Sequence, residues 1–133
     1  MRGQFDSSAP IFMQIVSQML NDIASGKLAL GEKIAPVRQL AEEYKVNPNT
    51  MQKSLEKLGD MGYLYTERTS GRFVTNDEEM IAMLRQKIPQ DITRAYVKEM
   101  LSLGIEKTEI LTYVRQETML YNGGSANGCD SKN

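Results

Sequence analysis

Histidine and tryptophan are absent from the 133 residues, cysteine occurs once, and aromatic side chains make up only 7%. Without histidine there is no Ser-His or Cys-His nucleophile pair, no imidazole general base and no histidine-ligated zinc or haem site. The commonest hydrolase chemistries drop out, and no enzymatic activity, metal or cofactor is expected. Cys129, alone in a polar stretch, builds neither a disulfide framework nor a cysteine-rich metal site, which fits a reducing cytoplasmic compartment. No run of ~18 apolar residues occurs, and no uninterrupted apolar stretch follows Met1-Arg2-Gly3-Gln4-Phe5-Asp6, so neither a membrane span nor a signal peptide is expected. A charge excess of one sign is missing too: 16 Lys+Arg face 17 Asp+Glu, for a net −1. That balance offers no large basic field for nucleic acid.

What is present is ordinary globular material, 41% hydrophobic and 25% charged, enough for one compact domain with a small appendage. Phe12, Ile15, Val16, Met19, Leu20 and Ile23 recur at three- and four-residue spacing and predict a helix, with Ser8 as N-cap, Pro10 in the first turn and Gly26 as the left-handed stop. Beyond a connector, Pro36 opens a shorter stripe of Val37, Leu40, Ala41 and Tyr44. Asn47-Pro48-Asn49-Thr50 then starts a third helix, with Asn47 placed to cap it and Met51, Leu55 and Leu58 as its apolar face. A tight turn therefore joins two short helices over about 36–55.

After Gly59 and Gly62 the residues turn β-branched and aromatic. Tyr63–Glu67 and Arg72–Thr75 predict a hairpin, or wing, over about 63–75, turning at Arg68-Thr69-Ser70-Gly71 and lying against the helices, because two strands alone are marginal. Asp77-Glu78-Glu79 begin another helix with Ile81, Leu84 and Ile88, and Pro89 is expected to break it. Ile92, Tyr96, Met100 and Leu103 make the next stripe, ended by Gly104; Ile110, Tyr113 and Val114 lie on the last. The fold class expected is mostly α with a small β-hairpin. Its parts are a winged helix-turn-helix over 8–76, a helical region over 77–121 and a flexible tail over 122–133.

In a winged helix-turn-helix, one helix presents its first turn to the ~12 Å major groove, its neighbour crosses the backbone, and the hairpin reaches flanking phosphates or the minor groove. Residues 10 to 75 resemble the DNA-binding domain of the GntR family of bacterial transcription regulators. The matching stretches are Pro10-Ile11-Phe12-Met13-Gln14-Ile15, Gly26-Lys27-Leu28-Ala29-Leu30-Gly31-Glu32-Lys33-Ile34, Val37-Arg38-Gln39-Leu40-Ala41, Val46-Asn47-Pro48-Asn49-Thr50-Met51-Gln52-Lys53 and Gly71-Arg72-Phe73-Val74. The Val46–Thr50 turn and the short C-terminal region further resemble the YtrA subfamily, in which a small helical appendage mediates dimerisation. The resemblance implies a homodimer on a double-stranded, pseudo-palindromic operator, most simply as a repressor. It implies dimerisation through Ile92, Tyr96, Met100, Leu103, Ile110 and Val114. Dimerisation is weighted above binding of a small-molecule effector, because few elements remain to enclose a ~300 Å³ pocket.

Arg38 matches a family arginine expected at phosphate or guanine. Asn47, Asn49 and Thr50 occupy the turn and the first recognition turn, where their short polar side chains either grip DNA or, at Asn47, cap the helix. Gln52 and Lys53 follow as candidates for sequence readout, glutamine on adenine and lysine on guanine or phosphate. Arg68, Ser70, Gly71 and Arg72 carry the wing contribution, with either arginine suited to a narrow minor groove. The chain also departs from the family pattern. Pro48 and Gln52 replace arginines that contact bases in many relatives. Ile34-Ala35-Pro36-Val37-Arg38 lacks the usual capping serine, which predicts a helix start weaker by about 1 kcal/mol. Thr69 stands at a common glycine position and resists positive φ, which predicts a different wing-tip path.

Several patterns have plainer readings. The nine methionines read as core filler or adaptable interface. Tyr63 and Tyr65 are a stacking pair by spacing, but are expected to pack one hairpin face against the helices. Asp91, Glu99, Glu106, Glu109 and Glu117, interleaved with Arg94, Lys98, Lys107 and Arg115, read as solvated helix faces. The near-neutral total is itself a cancellation, because residues 27–72 carry net +2 and residues 76–121 net −2. A winged-helix adaptor that binds protein without specific DNA binding is the alternative function.

Overall fold

The computed structural model describes residues 5–7 and 9–121; the expected cap at Ser8, Cys129 and the tail from 122 lie outside them. The elements run α1 (Ile11–Ser25), α2 (Val37–Tyr44), α3 (Pro48–Asp60), β1 (Leu64–Glu67), β2 (Gly71–Val74), α4 (Glu78–Ser102) and α5 (Lys107–Leu120). The mostly helical fold with one hairpin is as the sequence predicts. Two compact units divide between Ile88 and Pro89.

The first unit is built around α1, α2 and α3. Their stripes supply Ile15, Val16, Met19 and Ile23; Leu40, Ala41 and Tyr44; and Met51, Leu55 and Leu58, all buried in one core. Leu64 and Val74, paired across the hairpin, close it from below, and Leu84 of α4 joins it. Gly26 takes the left-handed conformation at φ 87°, as a helix stop requires. Pro10 is not inside the first turn: α1 begins at Ile11, and the Pro10 carbonyl accepts the amides of Met13 at 3.1 Å and Gln14 at 3.2 Å. The Gln14 side-chain amide donates to the carbonyls of Ala9 (2.7 Å) and Asp6 (2.8 Å) and accepts the Asp6 amide at 3.0 Å, fastening the segment before α1 to the helix. Pro36 stands at the N-cap of α2 and leaves it with no side-chain cap, as the missing serine predicts.

The hairpin pairs Leu64 with Val74, Tyr65 with Phe73, Thr66 with Arg72 and Glu67 with Gly71. Alternation sends Leu64 and Val74 into the core. Tyr65 is therefore not core filling, contrary to expectation: it is 37% exposed, stacks on Phe73 at 5.5 Å between centroids, and accepts a hydrogen bond from Asn76 Nδ2. Tyr63 does pack, half-buried, against the core. The segment the sequence gives as a plain connector adds a further short rung to β2. The Ile34 amide donates to the Arg72 carbonyl at 3.0 Å, and the Val74 amide to that of Glu32 at 2.8 Å.

Asp77 caps the start of α4, its carboxylate accepting the Met80 amide at 3.0 Å. Pro89 does not break this helix; α4 runs through it to Ser102. Proline removes one i→i−4 bond, but strong helix formers such as Leu84, Arg85, Gln86 and Lys87 precede it and propagation continues. In the second unit, Gly104 at φ 83° ends α4 with two reverse bonds, Gly104 amide to Leu101 carbonyl and Ile105 amide to Met100 carbonyl. Glu106 and Glu109 then form a reciprocal capping box at the start of α5. Asp91 and Arg94 pair at 3.4 Å on an exposed face, where such a contact contributes little.

Candidate nucleic-acid interface

A three-residue turn, Lys45-Val46-Asn47, joins α2 to α3. Lys45 holds φ 58°, so a single left-handed residue reverses the chain, and its amide still reaches the carbonyls of Ala41 and Glu42. Asn47 resolves its two candidate roles toward one in the free protein: its side-chain oxygen accepts the Asn49 amide at 2.7 Å, capping α3, with Pro48 in the first position. Met51, Leu55 and Leu58 face the core, and the opposite stripe of α3 presents Asn49, Gln52, Lys53 and Glu56. Asn49 and Lys53 are exposed; Thr50 and Gln52 are half-buried.

Two of these side chains are already engaged. Gln52 Nε2 donates to Glu56 Oε2 at 2.9 Å, one turn on, leaving the amide oxygen and one N–H available. Lys53 Nζ lies 4.1 Å from the centroid of the Phe12 ring on α1. On α2, Arg38 is exposed one turn before Glu42, and Gln39 makes the same i,i+4 bond to Glu43 at 3.1 Å.

The wing is a three-residue loop, Arg68-Thr69-Ser70, closed by the Ser70 amide on the Glu67 carbonyl at 3.2 Å. Positive φ falls on Gly71, at 111°, and not on Thr69; the glycine two positions later absorbs the reversal that Thr69 resists. Arg68 is exposed and Arg72 half-buried, and the Arg72 carbonyl is held by Ile34.

The sequence places Arg38, Asn47, Asn49, Thr50, Gln52, Lys53, Arg68, Ser70, Gly71 and Arg72 in one site, and all lie in the first unit on α2, α3 and the hairpin. It gives no role to three others. Lys33 bridges to Phe73 beside β2, and a Cβ on Gly71 would stand 3.3 Å from its Cε, so a further cation sits at the wing. Glu56 holds Gln52, and its i,i+4 spacing was the available signal. Phe12 beneath Lys53 has no such signal, because the two are 41 positions apart. Among the described residues no group of acids or cysteine is arranged to hold a metal, and no helix is long and apolar enough to cross a membrane.

In the second unit Ile92, Leu103 and Val114 are exposed and Tyr96 and Met100 half-covered, whereas Ile110 is only 5% exposed and belongs to the interior of its own unit. Tyr96, Met100, Leu103, Ile105, Tyr113 and Val114 line an apolar groove of about 590 Å³ between α4 and α5.

Comparison with known proteins agrees with this geometry. The profile of the bacterial regulatory proteins of the gntR family matches residues 13–74, from α1 to the end of the wing. The chain is 34% identical over 118 residues to the HTH-type transcriptional regulator YhcF of Bacillus subtilis, covering 89% of this chain and 98% of that protein. It is 28% identical over 127 residues to the HTH-type transcriptional repressor YtrA of the same organism, covering 91% and 94%. A solved GntR family transcriptional regulator from Listeria monocytogenes superposes with a TM-score of 0.78 at 36% identity, over 84% of this chain and 98% of that one. Both the winged helix-turn-helix and the short helical C-terminal region are thus shared with full-length relatives, and the chain belongs to the GntR family as a YtrA-like member.

Proposed function

We propose that the protein is a homodimeric transcription regulator, acting as a repressor, that sets the first turns of two α3 helices into successive major grooves of a pseudo-palindromic operator ~34 Å apart. The observation that carries this reading is the exposed polar stripe of α3, rigidly backed by Met51, Leu55 and Leu58 and flanked by the cations of α2 and the wing. Arg38, Asn49, Thr50 and Lys53 grip phosphate or base edge, Gln52 offers its free amide atoms to a base, and Arg68 and Arg72, with Lys33 beside them, meet the flanking backbone or minor groove. Asn47, Ser70 and Gly71 set the turn and wing path from which these contacts start. The repressor role follows the relative named as one. No catalytic step is part of this reading, and its seat is the cytoplasm, where the DNA is.

Dimerisation falls to the second unit. Its apolar groove and the exposed Ile92, Leu103 and Val114 offer a hydrophobic face that a second copy would cover symmetrically. Ile110, being buried, is left out of that surface.

Selection of bound fragments from genomic DNA should return a palindrome. On that duplex, three or four phosphate contacts per subunit give a slope of log K against log salt of roughly −5 to −7. Affinity that is flat with salt, or unchanged by Arg38→Ala with Lys53→Ala, rejects the reading. Recovery of a protein partner with no enriched DNA favours the adaptor instead.

A further inference from the structure

Phe12 stands on α1, outside the helix-turn-helix pair, yet two consecutive residues of α3 grip it. Lys53 Nζ sits 4.1 Å above its ring centroid. The hydroxyl of Ser54, fully buried, lies 3.2 Å from the Phe12 carbonyl oxygen and 2.9 Å from that of Thr50. Backbone and ring of one residue are thereby fixed from the recognition helix itself, while the shared core that includes Ile15, Val16, Met51 and Leu55 holds α1 against α3.

We infer that Phe12 is a positioning residue for DNA contact: its ring holds the Lys53 ammonium at the corner of α1 and α3, where it meets phosphate. This rests on the DNA-binding reading above. A lysine free in solvent loses most of its rotamer freedom when a phosphate fixes it, and the ring takes part of that loss in the unbound protein. The ammonium has three N–H donors, and a ring on one side leaves others open to a phosphate oxygen, so the two contacts coexist. The same tether shortens the reach of Lys53, which leaves base readout to Gln52 and Asn49.

The test uses full-length protein and the duplex recovered by genomic selection, with Phe12→Leu, Phe12→Tyr, Lys53→Met and the Phe12→Leu, Lys53→Met pair. Phe12→Leu keeps an apolar side chain and is expected to weaken binding by about three- to tenfold, whereas Phe12→Tyr retains a ring and stays near the parent. The pair should bind no more weakly than Lys53→Met alone, since the ring acts only through the lysine. In the unaltered protein the Lys53 ε-methylene protons should show an upfield ring-current shift, a readout independent of any variant's folding. Tighter binding by Phe12→Leu, an equal loss in the Lys53→Met background, or random-coil ε-proton shifts overturns the proposal. If Lys53→Met and Arg38→Ala both leave affinity unchanged, the DNA contact itself fails, and the positioning role with it.

Discussion

Asn47 has one geometry, an observed cap that leaves room for a proposed DNA contact. Its side-chain oxygen is committed to the Asn49 amide at 2.7 Å, which closes an otherwise open donor at the start of α3. In the proposed complex a phosphate at that helix start would be met by the remaining amides and by the Asn47 side-chain NH2, so cap and contact do not exclude each other. Asn47→Ala should lower stability by about 1 kcal/mol in urea unfolding, and Asn47→Ser, which still caps, should restore it. If Asn47→Ser recovers stability while operator affinity stays reduced, the asparagine contributes to DNA beyond the cap; full recovery of both assigns it to the cap alone. Capping was readable from Asn47-Pro48 because cap and first-turn preferences are local. The Lys53 arrangement was not, because it depends on where α1 lies.

Among elements, the wing and α4 show how local rules are relocated when neighbours intervene. Thr69 keeps ordinary φ because Gly71 takes the strained position, and the third rung at Glu32 to Ile34 fixes β2 from its free side. Gly71→Ala should strain the loop by about 1–2 kcal/mol and press on Lys33. The expected outcome is weaker operator binding with a smaller change in the global unfolding midpoint, measured by anisotropy and by thermal scans of the same samples. Pro89 ranks as a breaker by propensity, yet a helix already nucleated at Asp77 carries through it. Pro89→Ala should restore the missing bond at the Arg85 carbonyl and slow amide exchange around residues 86–93, with a gain of roughly 1–3 kcal/mol in local stability. Exchange no slower than in the parent would show that the bond is not recovered.

At the scale of the whole molecule, the proposed function joins charge to symmetry. Net charge is near zero, but the 27–72 segment is mildly basic and the 76–121 segment mildly acidic, so the proposed dimer would double a modest positive surface on one duplex. In the proposed dimer specificity rests on paired half-sites, and Leu103→Glu with Val114→Glu should give monomers by light scattering and a large loss of operator affinity, because the second half-site no longer benefits from effective concentration. A double variant that remains dimeric places the interface elsewhere. With no histidine in the chain, no side chain has an ordinary pKa near neutrality apart from Cys129, so operator affinity should change little between about pH 6 and 8 at constant salt.

The sequence by itself determined the elements whose signals are local: the periodic stripes of α1 to α3, the Gly26 stop, the Asn47-Pro48 start, the hairpin and the order that marks a winged helix-turn-helix. Those features need only neighbours three or four positions away, or the alternation of a strand. Only the tertiary structure decided what the stripes do once packed. It placed Tyr65 on Phe73 outside the core, tied Glu32–Ile34 to β2, buried Ile110 while leaving Leu103 70% exposed, and set the Phe12 ring beneath Lys53. The reason is packing beyond the local pattern: Phe12 and Lys53, or Glu32–Ile34 and β2, meet across about forty positions, and even the nearby Tyr65–Phe73 pair depends on which hairpin face the helices cover, of which a side chain carries no local mark.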